Sequence, residues 1–235
     1  MCPFKSARRL VTGAFLAAFA ASGVGSAQTL IWSPPDNTTT TVQEYFQAFL
    51  PASGIVSKWI TPIRVKGYGV DAKEEGIAIE FLDKFARLTG HEIRAAENTE
   101  KANVVLVKIP DLAKELLKEG GQTYGPFFRS PIDLGNFATS LKPDRKCVFF
   151  ASRHDKSSYV YGAFFLYKSG LSIEDFTACV YQEFSQLTGF IRNDGSLIDS
   201  VFAGKRVSLS RLDEFAIHNL YVKEIPVGGK TESAK

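Results

Sequence analysis

Histidine is scarce in this chain: His91, His154 and His218 are the whole supply in 235 residues. No two of them share a metal-ligand spacing, which argues against a conventional histidine-bound zinc. Each reads as a surface or capping residue. Cysteine is equally sparse, with Cys2, Cys147 and Cys179 only, and the 147–179 spacing matches no zinc motif. An excess of one charge is missing too, since 28 basic residues face 25 acidic ones. Lys5, Arg8 and Arg9 sit in an N-terminal leader, so the chain beyond Ala27 carries 25 of each sign. That balance gives no reason to expect nucleic acid or an anionic membrane as partner. Beyond Val24 no apolar run is long enough to span a bilayer.

The leader itself is well marked. A basic start is followed by the apolar, Ala-rich run Leu10–Val24 and by Gly25-Ser26-Ala27. This order predicts a secretory signal peptide over residues 1–27, cut after Ala27. A membrane anchor needs about 20 apolar residues, and this run is shorter and broken by Thr12, Gly13, Ser22 and Gly23. Cleavage would leave 208 of the 235 residues, enough for one sizeable core or at most two small domains. The product is expected in the periplasm or outside the cell. In an oxidising compartment Cys147 and Cys179 read as a disulfide; a reactive or metal-binding thiol pair is the alternative.

Past the leader, Gln28–Ser57 reads as an N-terminal arm with one short helix, Val42–Leu50, placing Tyr45, Phe46 and Phe49 on one face. Regular pattern starts near residue 58 and runs to 229, with 230–235 a tail. Ile63–Gly67 alternates as a strand. Glu74–Leu88 is amphipathic, with Ala78, Phe81, Leu82, Phe85 and Leu88 in one stripe and Gly90 as its stop. Ile93–Ala95 and Val104–Ile109 read as strands, and Asp111–Lys118 as a small helix. Gly120–Lys146 reads as loop. Cys147–Ser152 and Val160–Tyr167 are further strands. Ser172 with Asp175 predicts the start of a long helix to about Thr188, and Ser210 or Asp213 opens a last helix carrying Phe215, Ile217, Leu220 and Tyr221. The sum is an α+β domain with a mixed sheet packed on helices.

The long helix holds the sharpest signal. Asp175, Cys179, Gln182, Glu183 and Gln186 make one polar stripe, and Ile173, Phe176, Val180, Phe184 and Leu187 an apolar one. A polar stripe on a helix otherwise buried points to a cleft; a solvated helix face is the plainer reading. Gln182-Glu183-x-x-Gln186-x-x-Gly189-x-x-Arg192 has the frame of the metzincin zinc motif H-E-x-x-H-x-x-G-x-x-H. Glu183 and Gly189 are in register, whereas Gln182, Gln186 and Arg192 replace the three histidines. An amide oxygen is a poor zinc ligand and a guanidinium repels a dication, so no metal and no cofactor is expected. Arg192 is expected to pair with Glu183 instead.

The surroundings resemble metzincins as well. Ser200-Val201-Phe202 falls where that group has its methionine turn, and Ser208–Asp213 followed by Leu220-Tyr221 resembles the start of its closing helix. Cys147–Gly229 more closely resembles the bacterial domain-of-unknown-function family 2927, matching a pattern of Cys, two strands, C-x-x-E-E-x-x-Q, Ser-Ile-Phe and a leu-thr-x-x-asp segment. Cys179, Glu183 and Gln186 match it, and Gln182 departs from its acidic position. The resemblance implies a zincin-like frame, with the 173–188 segment as its former active-site helix, and supports the disulfide. It implies no reaction.

Three functions emerge as expectations. The first is a non-catalytic, exported, pseudopeptidase-like protein that binds a polypeptide or envelope component by strand addition along an edge strand. Gly125–Phe128 and Tyr159–Tyr167 would help line that groove, or serve as core. The second is a metal-independent hydrolase in which Glu183 works with Asp194 or Asp199 as an acid/base pair. The third is a structural envelope protein.

Overall fold

The computed structural model describes residues 42–50, 56–97, 101–128, 130–153, 159–191, 200–204 and 206–222. The leader, the 28–41 arm and the 230–235 tail lie outside them, as do His154, Arg192, Asp194 and Asp199.

Five strands form one mixed sheet: β1 (Ile63–Tyr68), β2 (Ile93–Ala95), β3 (Val104–Ile109), β4 (Cys147–Arg153) and β5 (Val160–Lys168). Their order is β2-β1-β3-β5-β4. The neighbours β2/β1, β1/β3 and β3/β5 are parallel, and β4 alone runs antiparallel, to β5, at one edge. Both faces are covered by helices, though unequally.

The main face carries α1 (Val42–Phe49), α2 (Ala72–Thr89), α5 (Ile173–Gln182) and α6 (Arg211–Val222). Helix α2 stops where Gly90 predicts and starts two residues before Glu74. Asp71 accepts from the N–H groups of Lys73 and Glu74, Glu74 reaches back to Asp71 N–H, and Gly90 closes the helix at φ 69°. This reciprocal cap satisfies donors that a helix start leaves open. Its stripe, Phe81, Leu82, Phe85 and Leu88, is buried against α5, α6 and the sheet. Helix α1 belongs to the same core, with Tyr45, Phe46 and Phe49 buried. Each such aromatic contributes about 1.5–3 kcal/mol of burial free energy.

The second face is smaller and is built by α3 (Leu112–Leu117) and α4 (Pro131–Ser140) over β3, β5 and β4. Helix α4 corrects the expectation that 120–146 is loop. Ser130 Oγ accepts from Asp133 N–H and Pro131 occupies the first turn, where its missing N–H costs nothing. The Ser-Pro pair that reads as a turn in isolation is a helix start here. Tyr124, Phe127 and Phe128 pack on Phe150 and Phe164 on this face.

The end of the chain is tied down by Asp213, which is fully buried. Its carboxylate accepts from Ser200 Oγ at 2.6 Å, Tyr45 OH at 2.5 Å, Ser210 N–H at 2.7 Å and Val201 N–H at 3.2 Å. Ser210 Oγ in turn accepts from Asp213 N–H at 3.1 Å. The Ser-x-x-Asp segment is therefore a capping pair whose acid also gathers α1 and the Ser200–Phe202 turn. A buried carboxylate with this many donors is fully satisfied, and Asp213 is structural.

Candidate functional site

Helix α5 starts at Ser172, whose Oγ accepts from Asp175 N–H, and ends sooner than its periodicity predicts. At Glu183 the backbone takes φ −115° and ψ −55°, and a 3-10 turn, Phe184–Thr188, continues the path. The uninterrupted helix to Thr188 is thus corrected to ten residues and a tighter turn. Trp59 Nε1 donates to Leu187 O at 3.0 Å, which anchors the turn. Gly189 then reverses the chain at φ +102°, and a Cβ there would lie 2.3 Å from Ser57 O. The glycine is required by both its φ and the close passage of Ser57. Of the predicted apolar stripe, Phe176, Val180, Phe184 and Leu187 are buried, while Ile173 is 38% exposed. It lies in the first turn, ahead of the part of α5 that meets the sheet.

The polar stripe lines a cleft. Asp175, Cys179, Gln182, Glu183 and Gln186 form one wall of an open depression of about 800 Å³. The opposite wall is the 142–146 segment with Cys147 and Phe149 of β4, and Phe137 of α4 stands at its lip. Three cross-links hold the walls together. Cys147 and Cys179 form a disulfide with Cα atoms 6.0 Å apart. Arg145 Nη2 donates to Glu183 Oε1 at 2.5 Å and Arg145 Nε to Cys147 O at 2.9 Å. Lys146 Nζ reaches Asp175 Oδ1 at 2.5 Å further along.

Glu183 is 5% exposed, so its charge needs partners. Arg145 holds one oxygen, and Gln186 Nε2 donates to the other at 3.1 Å. Arg192, the expected partner, lies outside the described residues; Arg145, on a segment read as loop, pairs with Glu183 as well. A signal for it existed. The disulfide sets Cys147 beside Cys179, and Glu183 lies one helical turn beyond Cys179, so a basic residue two before Cys147 comes within reach.

Zinc does not fit this donor set. The oxygens of Glu183 are engaged by a guanidinium and an amide donor, and a fixed cation beside them repels a dication. Among the described residues no three His, Cys, Asp or Glu side chains are grouped to hold a metal ion. His91 Nε2 lies 2.7 Å from Thr61 O and His218 Nδ1 2.7 Å from Leu88 O, so both imidazoles tie down backbone, far from α5 in sequence.

The sequence profile of a family described as a protein of unknown function, DUF2927, matches residues 39–235. The chain belongs to the DUF2927 family. No curated protein matches it. In this DUF2927 chain the cysteine ahead of the paired strands and the one on the helix are bonded to each other, and the Glu and Gln of the helix segment are hydrogen-bonded together on the cleft wall. The Ser of the Ser200–Phe202 turn and the Asp of the closing segment meet as Ser200 and Asp213. The aromatic segments around Phe127 and Phe164 of this DUF2927 chain pack in the second core and take no part in the cleft wall. Among the described residues no helix is long and apolar enough to cross a membrane.

Proposed function

We propose that this protein is an exported, non-catalytic binding protein on a zincin-like frame, and that it takes an extended polypeptide along the outer edge of β4. The observation that carries the reading is a strand edge with no neighbouring strand among the described residues, above a cleft whose central carboxylate is already bound by its own chain.

The edge can be read from the ladder. Lys168 N–H donates to Lys146 O at 2.9 Å, and the β4/β5 register continues from that pair. In an antiparallel ladder alternate residues turn their peptide groups to the partner strand. Val148 and Phe150 therefore face β5, while Cys147, Phe149 and Ala151 face outward. Arg145 Nε takes the outward carbonyl of Cys147, so an incoming strand has Phe149 and Ala151 to pair with. Main-chain pairing at such an edge supplies affinity, and the pockets below supply side-chain selectivity. The zincin-like reading is supported by the register of Glu183 and Gly189, by the sharp turn at Gly189, and by an edge strand lying over the helix segment that carries them. The disulfide suits an oxidising compartment, periplasmic or extracellular.

The test uses fluorescence anisotropy with a library of extended peptides, together with a protease assay on unfolded casein. Ala151→Pro removes an outward N–H without touching the β5 ladder and is expected to abolish binding. Glu183→Gln is expected to leave binding within about threefold, because a carboxylate that serves the cleft wall is not a catalytic base. Hydrolysis by the wild type that disappears in Glu183→Gln would make the protein an enzyme. Binding indifferent to Ala151→Pro would remove the strand-addition mode.

A further inference from the structure

The cleft beside β4 wraps around the strand edge and has two unlike walls. Cys147 and Phe149 turn their side chains to the main core, where α5 packs. Val148 and Phe150 turn theirs to the smaller core under α4, as side chains alternate along a strand. On the α5 side the cleft is lined by Gln182, Gln186 and the acids of two ion pairs. On the α4 side it is lined by Phe137 and Leu141. A strand laid on the outer edge of β4 lies between the two.

The lining is polar yet balanced in charge. Lys142, Arg145 and Lys146 face Asp144, Asp175 and Glu183. Arg145–Glu183 and Lys146–Asp175 are already paired, and Lys142 and Asp144 stay at the exposed rim. A charged side chain pressed on the α5 wall would lose water and find no unspent counter-ion. What that wall offers is neutral hydrogen-bonding groups. The Gln182 amide reaches the cleft with no hydrogen bond of its own among the described residues. Gln186 gives its Nε2 to Glu183 and keeps Oε1 as an acceptor. An apolar side chain would strip both groups of water and return nothing. The α4 wall has the opposite need. Phe137 and Leu141 are only partly covered by the smaller core, and the hydroxyl beside them, Ser140 Oγ, already donates to Phe137 O.

Resting on the strand-addition reading, we propose that the cleft selects an uncharged polypeptide segment of alternating character. Ser, Thr, Asn or Gln faces α5, and an aliphatic residue faces α4. The register follows from β4, because side chains directly opposite across a ladder share a face. The ligand residue opposite Phe149 faces Gln182 and Gln186. Its two neighbours fall opposite Val148 and Phe150 and face Phe137 and Leu141. An unpaired strand of an antiparallel sheet alternates in this way, and that is the partner the two walls fit. The β4 strand of a second copy fits worse, because Phe149-Phe150 puts an aromatic ring on both of its faces.

The test is fluorescence anisotropy of labelled, end-blocked peptides on the purified protein. An alternating Val/Thr peptide is expected to bind best. Replacing its Thr residues by Glu, or by Lys, is expected to weaken binding at least about tenfold through unpaired charge. An all-Thr peptide is expected to lose as much through missing apolar contact. Leu141→Ser is expected to weaken the Val/Thr peptide at least about tenfold and the all-Thr peptide by less than about threefold. Gln182→Leu is expected to erase the preference for Val/Thr over Val/Ala. The comparison among peptides uses the unaltered protein and holds if either variant fails to fold. Equal binding of the Val/Thr peptide and either charged one, all lost in Ala151→Pro, overturns this selectivity and leaves strand addition standing. Binding of none, or binding untouched by Ala151→Pro, removes strand addition and this proposal with it. A dimer in sedimentation velocity that Ala151→Pro dissociates, with no peptide bound, makes a second copy the occupant and overturns the proposal as well.

Discussion

Arg145 and Glu183 meet across the cleft at 2.5 Å, a half-exposed guanidinium on a carboxylate that is nearly buried. The pair joins the loop before β4 to the end of α5, and Arg145 holds Cys147 O at the same time. Removing the cation while keeping the carboxylate leaves a buried charge short of a partner. Arg145→Met is expected to cost about 1–3 kcal/mol, below the range for a fully buried pair because Arg145 reaches solvent. Urea unfolding checks this, and adding Glu183→Gln to the same chain is expected to recover part of the loss. A double mutant no better than Arg145→Met would show that the pair is not coupled.

The turn after α5 makes a second prediction through two glycines of opposite behaviour. Gly189→Ala must accept φ +102° and a Cβ 2.3 Å from Ser57 O, and is expected to destabilise by about 2 kcal/mol or more. Gly76, inside α2, meets nothing within 4 Å, and Gly76→Ala is expected to stabilise by up to about 1 kcal/mol. Thermal melts should move in opposite directions. Equal and small shifts would mean that Ser57 does not pass where the structure places it.

Opening the disulfide should weaken the whole fold. The bonded residues are 32 apart in sequence, and a loop of that length contributes about 3–4 kcal/mol in the chain-entropy model. The Cys147→Ser/Cys179→Ser pair is expected to lose that amount in urea. Mass spectrometry after thiol alkylation should find both cysteines protected until reductant is added, and modification of either without reductant would contradict the bond.

Acid should weaken α2 through Asp71. The N–H of Glu74 holds its carboxyl below the ordinary 3.8; burial opposes this, and Lys108 adds to the lowering. A folded value below the unfolded one means that the contribution is complete above about pH 4 and is lost as pH falls through the folded value. Asp71→Asn is expected to flatten the decline of Tm below about pH 4. Asp71→Ala is expected to cost about 1 kcal/mol at neutral pH as a lost cap. Unchanged acid slopes in Asp71→Asn would show that another group governs that limb.

Much of the architecture is written locally. The five strands and the end of α2 follow from alternation, from the 3.6-residue stripe ending at Leu88, and from the Gly90 signal after it, because each depends only on neighbours along the chain. The cleft-facing stripe of α5 was legible for the same reason, and the pairing of Cys147 with Cys179 from their even count in an oxidising compartment. Helix α4 was not: Ser130-Pro131 opens a helix or a turn with equal ease, and packing of Leu134 and Ala138 against the second core decides between them. The break at Glu183 was hidden too. Its residues have ordinary helical periodicity, and the tighter turn answers to Trp59 seizing Leu187 O and to Ser57 passing under Gly189, contacts more than a hundred residues distant along the chain. Arg145 on Glu183 belongs to the same class. Sequence by itself determined the five strands and the stripe of α2, since short-range sterics and hydrophobic period set those, and the cysteine pair through its even count. Which charges meet was decided only when the sheet brought β4 and α5 to their places.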